Sequence, residues 1–394
     1  MSVNTDPQKI EQLLTRGVEN VYPNKEFLEE LLKSGKKLKL YLGIDPTGPS
    51  LHLGHAISLM KLRQFQELGH TVIMLIGSFT AMIGDPTDKL AVRQPLTRKQ
   101  VLANCKNYEK QAASILDMKK TEVKYNNKWL DKLNFKDIVE IAGKFTVQQM
   151  LERDMFENRM KEGKPIGLHE FLYPLMQGYD CVAMKVDGEI GGNDQTFNML
   201  AGRTLMKSMS NKEKFVVTNK LLADTSGKKM GKSEGNMITL DDAAVDKFGK
   251  VMAWTDDMIV NGFELCTFEP ASKVSEVEAR LNKGENPRDL KLELAKAIVR
   301  IYHGEAEAEK AVDNFIKTFS QKQNPDDIEE FDLSGKTIIE ALVEARVVQS
   351  NSEARRNIQQ GGVKINDQVV EKIDTKVKSG DVIQKGKRHF IKIK

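Results

Sequence analysis

Short apolar runs and longer stretches of helical periodicity alternate through the first 240 residues, separated by turns that carry glycine and proline. Strand-like runs fall at Leu38 to Ile44, Thr71 to Ile76, Glu122 to Tyr125 and Lys214 to Thr218. Helical spacing falls at His55 to Leu68, Thr97 to Leu116, Phe135 to Lys144, Thr146 to Lys161, Leu168 to Met184 and Asp194 to Met209. This alternation predicts an α/β fold built on a doubly wound parallel sheet. From Asp241 to about Asn324 the strand signals fade, and the segment after Pro287 reads as a helix that closes at Gly304. Q-K-Q-N-P-D-D-I-E-E then reads as a solvated linker, and the tail begins near Leu333.

At 394 residues the chain is too long for one core and suits two or three domains. Hydrophobic residues make up 40% and charged residues 29%, a globular composition, and the longest apolar stretch, Thr71 to Gly84, is too short and too interrupted to span a membrane. Cys105, Cys181 and Cys266 are odd in number and far apart, which fits reduced core residues of a cytosolic protein. The net charge of +4 is unevenly placed: residues 333 to 394 hold 13 Lys and Arg against 7 Asp and Glu. A basic tail of this kind suits an acidic partner such as RNA, or is a solvated face.

The most informative segment is Y-L-G-I-D-P-T-G-P-S-L-H-L-G-H, residues 41 to 55. It runs from a strand through a turn into a helix whose start carries His52 and His55. Unpaired backbone N–H groups and the positive end of the macrodipole favour an anion there, and imidazole N–H donors add to the grip. Gly54 leaves room for a flat ring, while Asp45 and Thr47 offer an acceptor and a hydroxyl at the carboxyl end of the strand. The alternatives are two solvated histidines or a zinc pair, for which no further ligand follows at metal spacing. About 170 residues downstream lies S-G-K-K-M-G-K-S, in which Lys229 and Lys232 lie three apart with Ser233 behind them, a cationic stretch suited to polyphosphate. It falls short of a P-loop, because Ser226 stands where the first glycine belongs.

Three further stretches supply polar groups at turns or on apolar helices. F-L-Y-P-L-M-Q-G-Y-D puts Tyr173, Gln177 and Asp180 on one helix face, I-G-G-N-D-Q sits at a strand-to-helix junction, and G-D-P-T-D-K follows the second strand. In a parallel sheet these loops share one edge and form one cleft.

The ordered pair H-L-G-H and K-M-G-K-S resembles the two signatures of class I aminoacyl-tRNA synthetases, with Leu53 and Gly231 as mild departures from the usual letters. Over essentially the whole chain the resemblance is to the tyrosyl-tRNA synthetases of bacterial type. It implies a Rossmann-like catalytic domain over residues 1 to 240 with an inserted dimerisation region, a helical anticodon-binding domain over 241 to 324, and a small S4-like α+β domain over 333 to 394. It implies activation of L-tyrosine by ATP, with Mg2+ accompanying the nucleotide, followed by transfer to tRNA(Tyr). Catalytic roles would fall to Thr47, His52, His55, Lys229, Lys232 and Ser233. Tyr41 and Asp180 would meet the phenolic hydroxyl, Asp85, Tyr173 and Gln177 the ammonium, and Gln195 the carboxylate. Gly43, Asp45, Gly54, Gly192, Asp194 and Lys232 would contact ATP, and no protein-bound metal is implied. In the tail, S-E-A-R-R-N-I-Q-Q-G-G-V-K-I-N resembles an S4-type RNA-binding element, in which Arg355, Arg356 and Lys364 would meet phosphates. Family members are homodimers, which offers the Met and Phe stripe after Thr146 a subunit interface as an alternative to core packing. The shared signatures leave a tryptophanyl-tRNA synthetase open as a rival, as well as a non-catalytic RNA-binding relative.

Overall fold

The structure, a computed structural model, describes residues 3–85, 96–224, 227, 237–320, 328–370, 372–386 and 389–394. It divides into two compact units, residues 1–242 with 255–290, and residues 243–254 with 291–394. The expected helical segment 241–324 is thus shared between them.

The first unit is built on six strands: β1 (Val18–Tyr22), β2 (Lys39–Ile44), β3 (Thr71–Ile76), β4 (Thr121–Tyr125), β5 (Gly188–Gly192) and β6 (Phe215–Asn219). Their order is β1-β6-β5-β2-β3-β4. All neighbours pair in parallel except β1, which joins β6 antiparallel at the edge. Strands covered by helices on both faces need apolar side chains on both, and β3 shows this, with Val72 to Ile76 all buried. The chain winds outward from β2 in two directions, so the order reverses between β2 and β5. Ligands of open α/β sheets bind at the carboxyl ends of strands at such a reversal.

Two strands lay outside the periodic signal. β1 reads V-E-N-V-Y with Glu19 and Asn20 exposed, as an edge strand permits, and β5 reads G-E-I-G-G, in which glycine replaces the β-branched residues that mark a strand. Two long helices predicted from periodicity are each broken. Residues 97–116 hold helices Arg98–Cys105 and Tyr108–Ala112, the second opened by Asn107 at φ −107° and ψ 4°. Residues 146–161 hold Val147–Leu151 and Asp154–Lys161, separated at Arg153, whose backbone is extended at ψ 121°. Arg153 is buried and its guanidinium reaches Asp85 at 3.2 Å, a tertiary contact that outweighs local helix propensity. Met150 and Phe156 of the apolar stripe are buried, Phe156 against Phe171 with ring centroids 4.7 Å apart.

Helix Leu168–Met184 lies against helix Thr196–Ser210. Gly202 permits the approach, since a Cβ there would lie 3.3 Å from the Gly178 Cα and 2.7 Å from Lys214 Nζ.

In the second unit, helices Ala244–Met252 and Glu305–Ser320 are joined by Phe248 and Phe315, with ring centroids 5.4 Å apart. Beyond them lies a five-stranded sheet of β7 (Glu329–Phe331), β8 (Val363–Ile365), β9 (Gln368–Val369), β10 (Val382–Lys385) and β11 (His389–Ile393), in the order β7-β11-β10-β8-β9. Helices Ile338–Glu344 and Asn351–Gln359 cover it through Ile338, Leu342, Ala354 and Ile358, giving the helix, helix, strand order of the S4-type element that the tail resembles. Among the described residues no helix is long and apolar enough to cross a membrane.

Candidate active site

The turn after β2 leads to helix Leu53–Glu67, whose N-cap is His52. His52 Nδ1 accepts the Gly54 backbone N–H at 3.1 Å, and His55 Nδ1 accepts that of His52 at 3.2 Å. With both Nδ1 atoms accepting, each neutral ring carries its proton on Nε2. Burial holds His52 down at about 4, and burial together with His52 holds His55 well below its ordinary value. The pair therefore presents uncharged N–H donors at neutral pH, with ring centroids 3.9 Å apart and the planes tilted by 43°. Among the described residues no group of three or more His, Cys, Asp or Glu could hold a metal ion, so the pair gains no third ligand there.

The turn itself is held from behind by the short helices after residue 97. Asn104 donates to the Pro46 carbonyl at 2.9 Å and Tyr108 to that of Gly48 at 2.6 Å. Gln111 accepts from the Leu51 N–H at 2.6 Å and donates to the Pro49 carbonyl at 3.2 Å. Lys229, Lys232 and Ser233 lie outside the described residues. The chain just after them returns to the histidine helix, where Leu53 N–H donates to the Ile238 carbonyl at 3.0 Å and Leu240 N–H to that of Leu51 at 2.9 Å. Ser50 adds a bond to Asp241 at 3.1 Å.

Gly43 is exposed although it lies in β2, at the centre of the sheet, so that face of the strand opens on a cleft. Next to it Tyr41 is fully buried, and its hydroxyl has no hydrogen-bond partner among the described residues. Burial first, and then the Glu189 charge, push that hydroxyl well above its ordinary pKa. Asp180 accepts from Trp129 Nε1 at 2.7 Å and from Asn126 Nδ2 at 3.2 Å. Burial pushes its carboxyl well above the usual range, against the pull of those two donors.

The network continues from Asp180. Asn126 also donates to Thr80 at 3.0 Å, Thr80 donates to Asp45 Oδ1 at 2.6 Å, and the Tyr173 hydroxyl donates to Asp45 Oδ2 at 2.8 Å. Asp45, expected to contact the nucleotide, is thus bonded to both Thr80 and Tyr173. Gly77 admits it, because a Cβ there would fall 1.7 Å from Asp45 Oδ1. Gln195 donates to Asp85 Oδ2 at 2.7 Å, while the other Asp85 oxygen meets Arg153. Gln177 donates to Glu189 at 3.1 Å. Thr47, Gly54, Gly192 and Asp194 are half-buried or exposed around the same carboxyl edge.

Sequence reasoning passed over Thr80, Asn126, Trp129, Glu189 and Lys214. The signals for the last two were present: an acidic residue within G-E-I-G-G and a lysine abutting F-V-V, each a charge in a run that should be buried.

The family model for class I tRNA synthetases (W and Y) matches residues 33–320, and a tyrosine–tRNA ligase SYY-like C-terminal domain model matches 320–393. The chain is 46% identical to the tyrosine–tRNA ligase 2 of Clostridium acetobutylicum, over 97% of each chain. It is 44% identical to the tyrosine–tRNA ligase of Thermotoga maritima, over 98% of each. The chain belongs to the tyrosine–tRNA ligases of class I. Among solved structures, the C-terminally truncated mitochondrial tyrosyl-tRNA synthetase of Aspergillus nidulans has a TM-score of 0.67 at 26% identity, covering 79% of this chain and 94% of that one. The Archaeoglobus fulgidus tyrosyl-tRNA synthetase shares the fold, with a TM-score of 0.61 at 21% identity, covering 77% of this chain and 99% of that one.

In the SYY-like tail of this tyrosine–tRNA ligase family member, Arg355 and Arg356 are exposed on helix Asn351–Gln359, because Ala354 and Ile358 take its inward face. Lys364 is half-buried in β8.

Proposed function

We propose that this chain is a cytoplasmic tyrosine–tRNA ligase. It activates L-tyrosine with MgATP to tyrosyl-adenylate and pyrophosphate, then passes the tyrosyl group to the terminal ribose of tRNA(Tyr). The observation that carries the reading is the buried hydroxyl of Tyr41, which makes no hydrogen bond of good geometry among the described residues and lies beside the charges of Glu189 and Asp180. A buried hydroxyl without a partner costs about 1–3 kcal/mol, and a substrate phenol bridging Tyr41 and Asp180 would remove that cost.

The attacking tyrosine carboxylate is ionised at neutral pH, so the first step needs no general base. The nucleotide site works by positioning and by stabilising charge on the transferring phosphate. His52 and His55 offer Nε2–H donors to the triphosphate, with Thr47 beside them. Lys229, Lys232 and Ser233 close over the pyrophosphate as the bond breaks, an interaction that raises the rate more than it tightens ATP binding. Gly43, Gly54, Gly192 and Asp194 border the nucleoside, and Mg2+ arrives with the phosphates as part of the substrate. Asp85, Tyr173 and Gln177 receive the ammonium, and Gln195 approaches the carboxylate.

The domain roles follow from the same reading. Residues 1 to 240 carry out activation, 241 to 324 meet the anticodon, and 333 to 394 bind RNA through Arg355, Arg356 and Lys364. Phe135, Val147 and Leu168 are 82%, 67% and 79% exposed, and these apolar side chains suit burial against a second copy in a homodimer.

Tyrosine-dependent exchange between ATP and pyrophosphate tests the activity. Exchange with tyrosine and none with tryptophan is expected; exchange driven by tryptophan, or by neither, would refute the reading.

A further inference from the structure

Two buried charges lie beside the amino-acid pocket and take no part in the reaction as described. Glu189 in β5 and Lys214, just before β6, are 1% and 0% exposed and form an ion pair. Lys214 also donates to the Met199 carbonyl at 3.1 Å, and its ammonium lies 5.8 Å from the centroid of the Tyr41 ring. Desolvation offsets most of the attraction in such a pair, so stability alone does not account for it.

The other carboxylate oxygen of Glu189 points to a use. Glu189 Oε1 accepts from Gln177 Nε2 at 3.1 Å. A carboxylate only accepts, so the amide end that faces it must be the NH2, and the carbonyl end is turned away. Gln177 Oε1 accepts no hydrogen bond among the described residues. In this orientation the amide offers an acceptor to a cation, and the reversed amide would offer donors and repel one.

We propose that Glu189 is a positioning residue for the substrate ammonium: it holds Gln177 with its carbonyl oxygen toward the pocket, and Lys214 is the counter-ion that keeps the carboxylate an acceptor. The proposal rests on the tyrosine–tRNA ligase reading, in which Gln177 receives the ammonium. Glu189 acts through Gln177 and does not touch the substrate. Binding of tyrosine depends on it, whereas binding of ATP and the chemical step do not.

The test is steady-state pyrophosphate exchange by the full chain and three variants. The double variant Glu189→Leu with Lys214→Met removes charge and acceptor together, and Glu189→Gln with Lys214→Met removes charge but keeps an acceptor oxygen. Glu189→Asp keeps the charge and withdraws the carboxylate from Gln177. The leucine variant is expected to raise KM for tyrosine by about 10- to 30-fold, with kcat and KM for ATP within about 2-fold. The glutamine variant is expected to restore KM to within about 5-fold of the parent, and the aspartate variant to fall between. Inhibition by 3-(4-hydroxyphenyl)propionate, which lacks the ammonium, should stay within about 2-fold across the series. An unchanged KM for tyrosine, a loss in kcat alone, or an equal loss of inhibitor binding would overturn the proposal and leave the tyrosine reading standing. If the leucine variant does not fold, the aspartate variant decides by the same split. A parent with no tyrosine-dependent exchange would overturn both.

Discussion

Single side chains decide the chemistry, and Tyr41 makes the sharpest case. Its hydroxyl is buried without a partner among the described residues, so Tyr41→Phe should leave the free protein as stable or up to about 1–2 kcal/mol more stable in urea unfolding. The histidines give a pH dependence. Burial lowers His52 and His70 to about 4, and burial together with His52 holds His55 well below its ordinary value. An unfolded chain whose histidines titrate near 6.5 binds more protons than the folded one below that pH. The stability these groups contribute is therefore complete above about 6.5 and is lost as pH falls toward about 4. Urea midpoints measured at pH 7.5 and 5.0 should fall with pH, and His70→Gln should flatten the dependence. At this scale the histidines and Asp180 stood out through local spacing on a helix, whereas Tyr41 was singled out only by the family resemblance. Thr80, Asn126 and Trp129 were not legible, because they reach Asp45 and Asp180 only after the strands pair.

Some elements owe their ends to local sequence and others to contacts that it does not carry. Helix Leu168–Met184 was legible to the residue, since its apolar spacing is unbroken and Lys185 closes it in the left-handed conformation at φ 54°. The break at Arg153 answers to a distant partner instead, Asp85. Arg16 is a similar case. Its guanidinium donates to the carbonyls of Phe263 at 3.1 Å, Glu264 at 2.9 Å and Thr267 at 2.8 Å, and also to Glu269, around the C-terminus of helix Met258–Cys266. Carbonyls at a helix end have no partner within the helix, and a cation satisfies both them and the dipole. Arg16→Met should cost about 3 kcal/mol in urea unfolding and leave KM for tyrosine within about 2-fold. A shift below about 0.5 kcal/mol would mean that water replaces the guanidinium.

Across the whole molecule, the alternation of strand and helix carried the doubly wound parallel sheet but not its strand order, and the S4-type resemblance carried the helix, helix, strand pattern of the tail. Two strands of this sheet gave no periodic signal, for opposite reasons: β1 is an exposed edge, and β5, marked only by the strand-to-helix junction at I-G-G-N-D-Q, is largely glycine. The separation of charge along the chain bears on function. The tail holds 13 Lys and Arg against 7 Asp and Glu, and the rest of the chain 47 against 49. Removing residues 321 to 394 should therefore leave exchange within about 3-fold while tRNA charging falls by at least about 10³, since phosphate contacts supply most of the affinity for RNA. C-terminally truncated relatives have been solved as folded chains. The central claim is that the cleft where β2 meets β5 reads the hydroxyl of tyrosine. Its most direct test is pyrophosphate exchange with tyrosine and with phenylalanine, in the full chain and in Tyr41→Phe. The parent should respond to tyrosine and hardly to phenylalanine, and the variant should lose most of that preference; a variant that discriminates as well as the parent would contradict the claim.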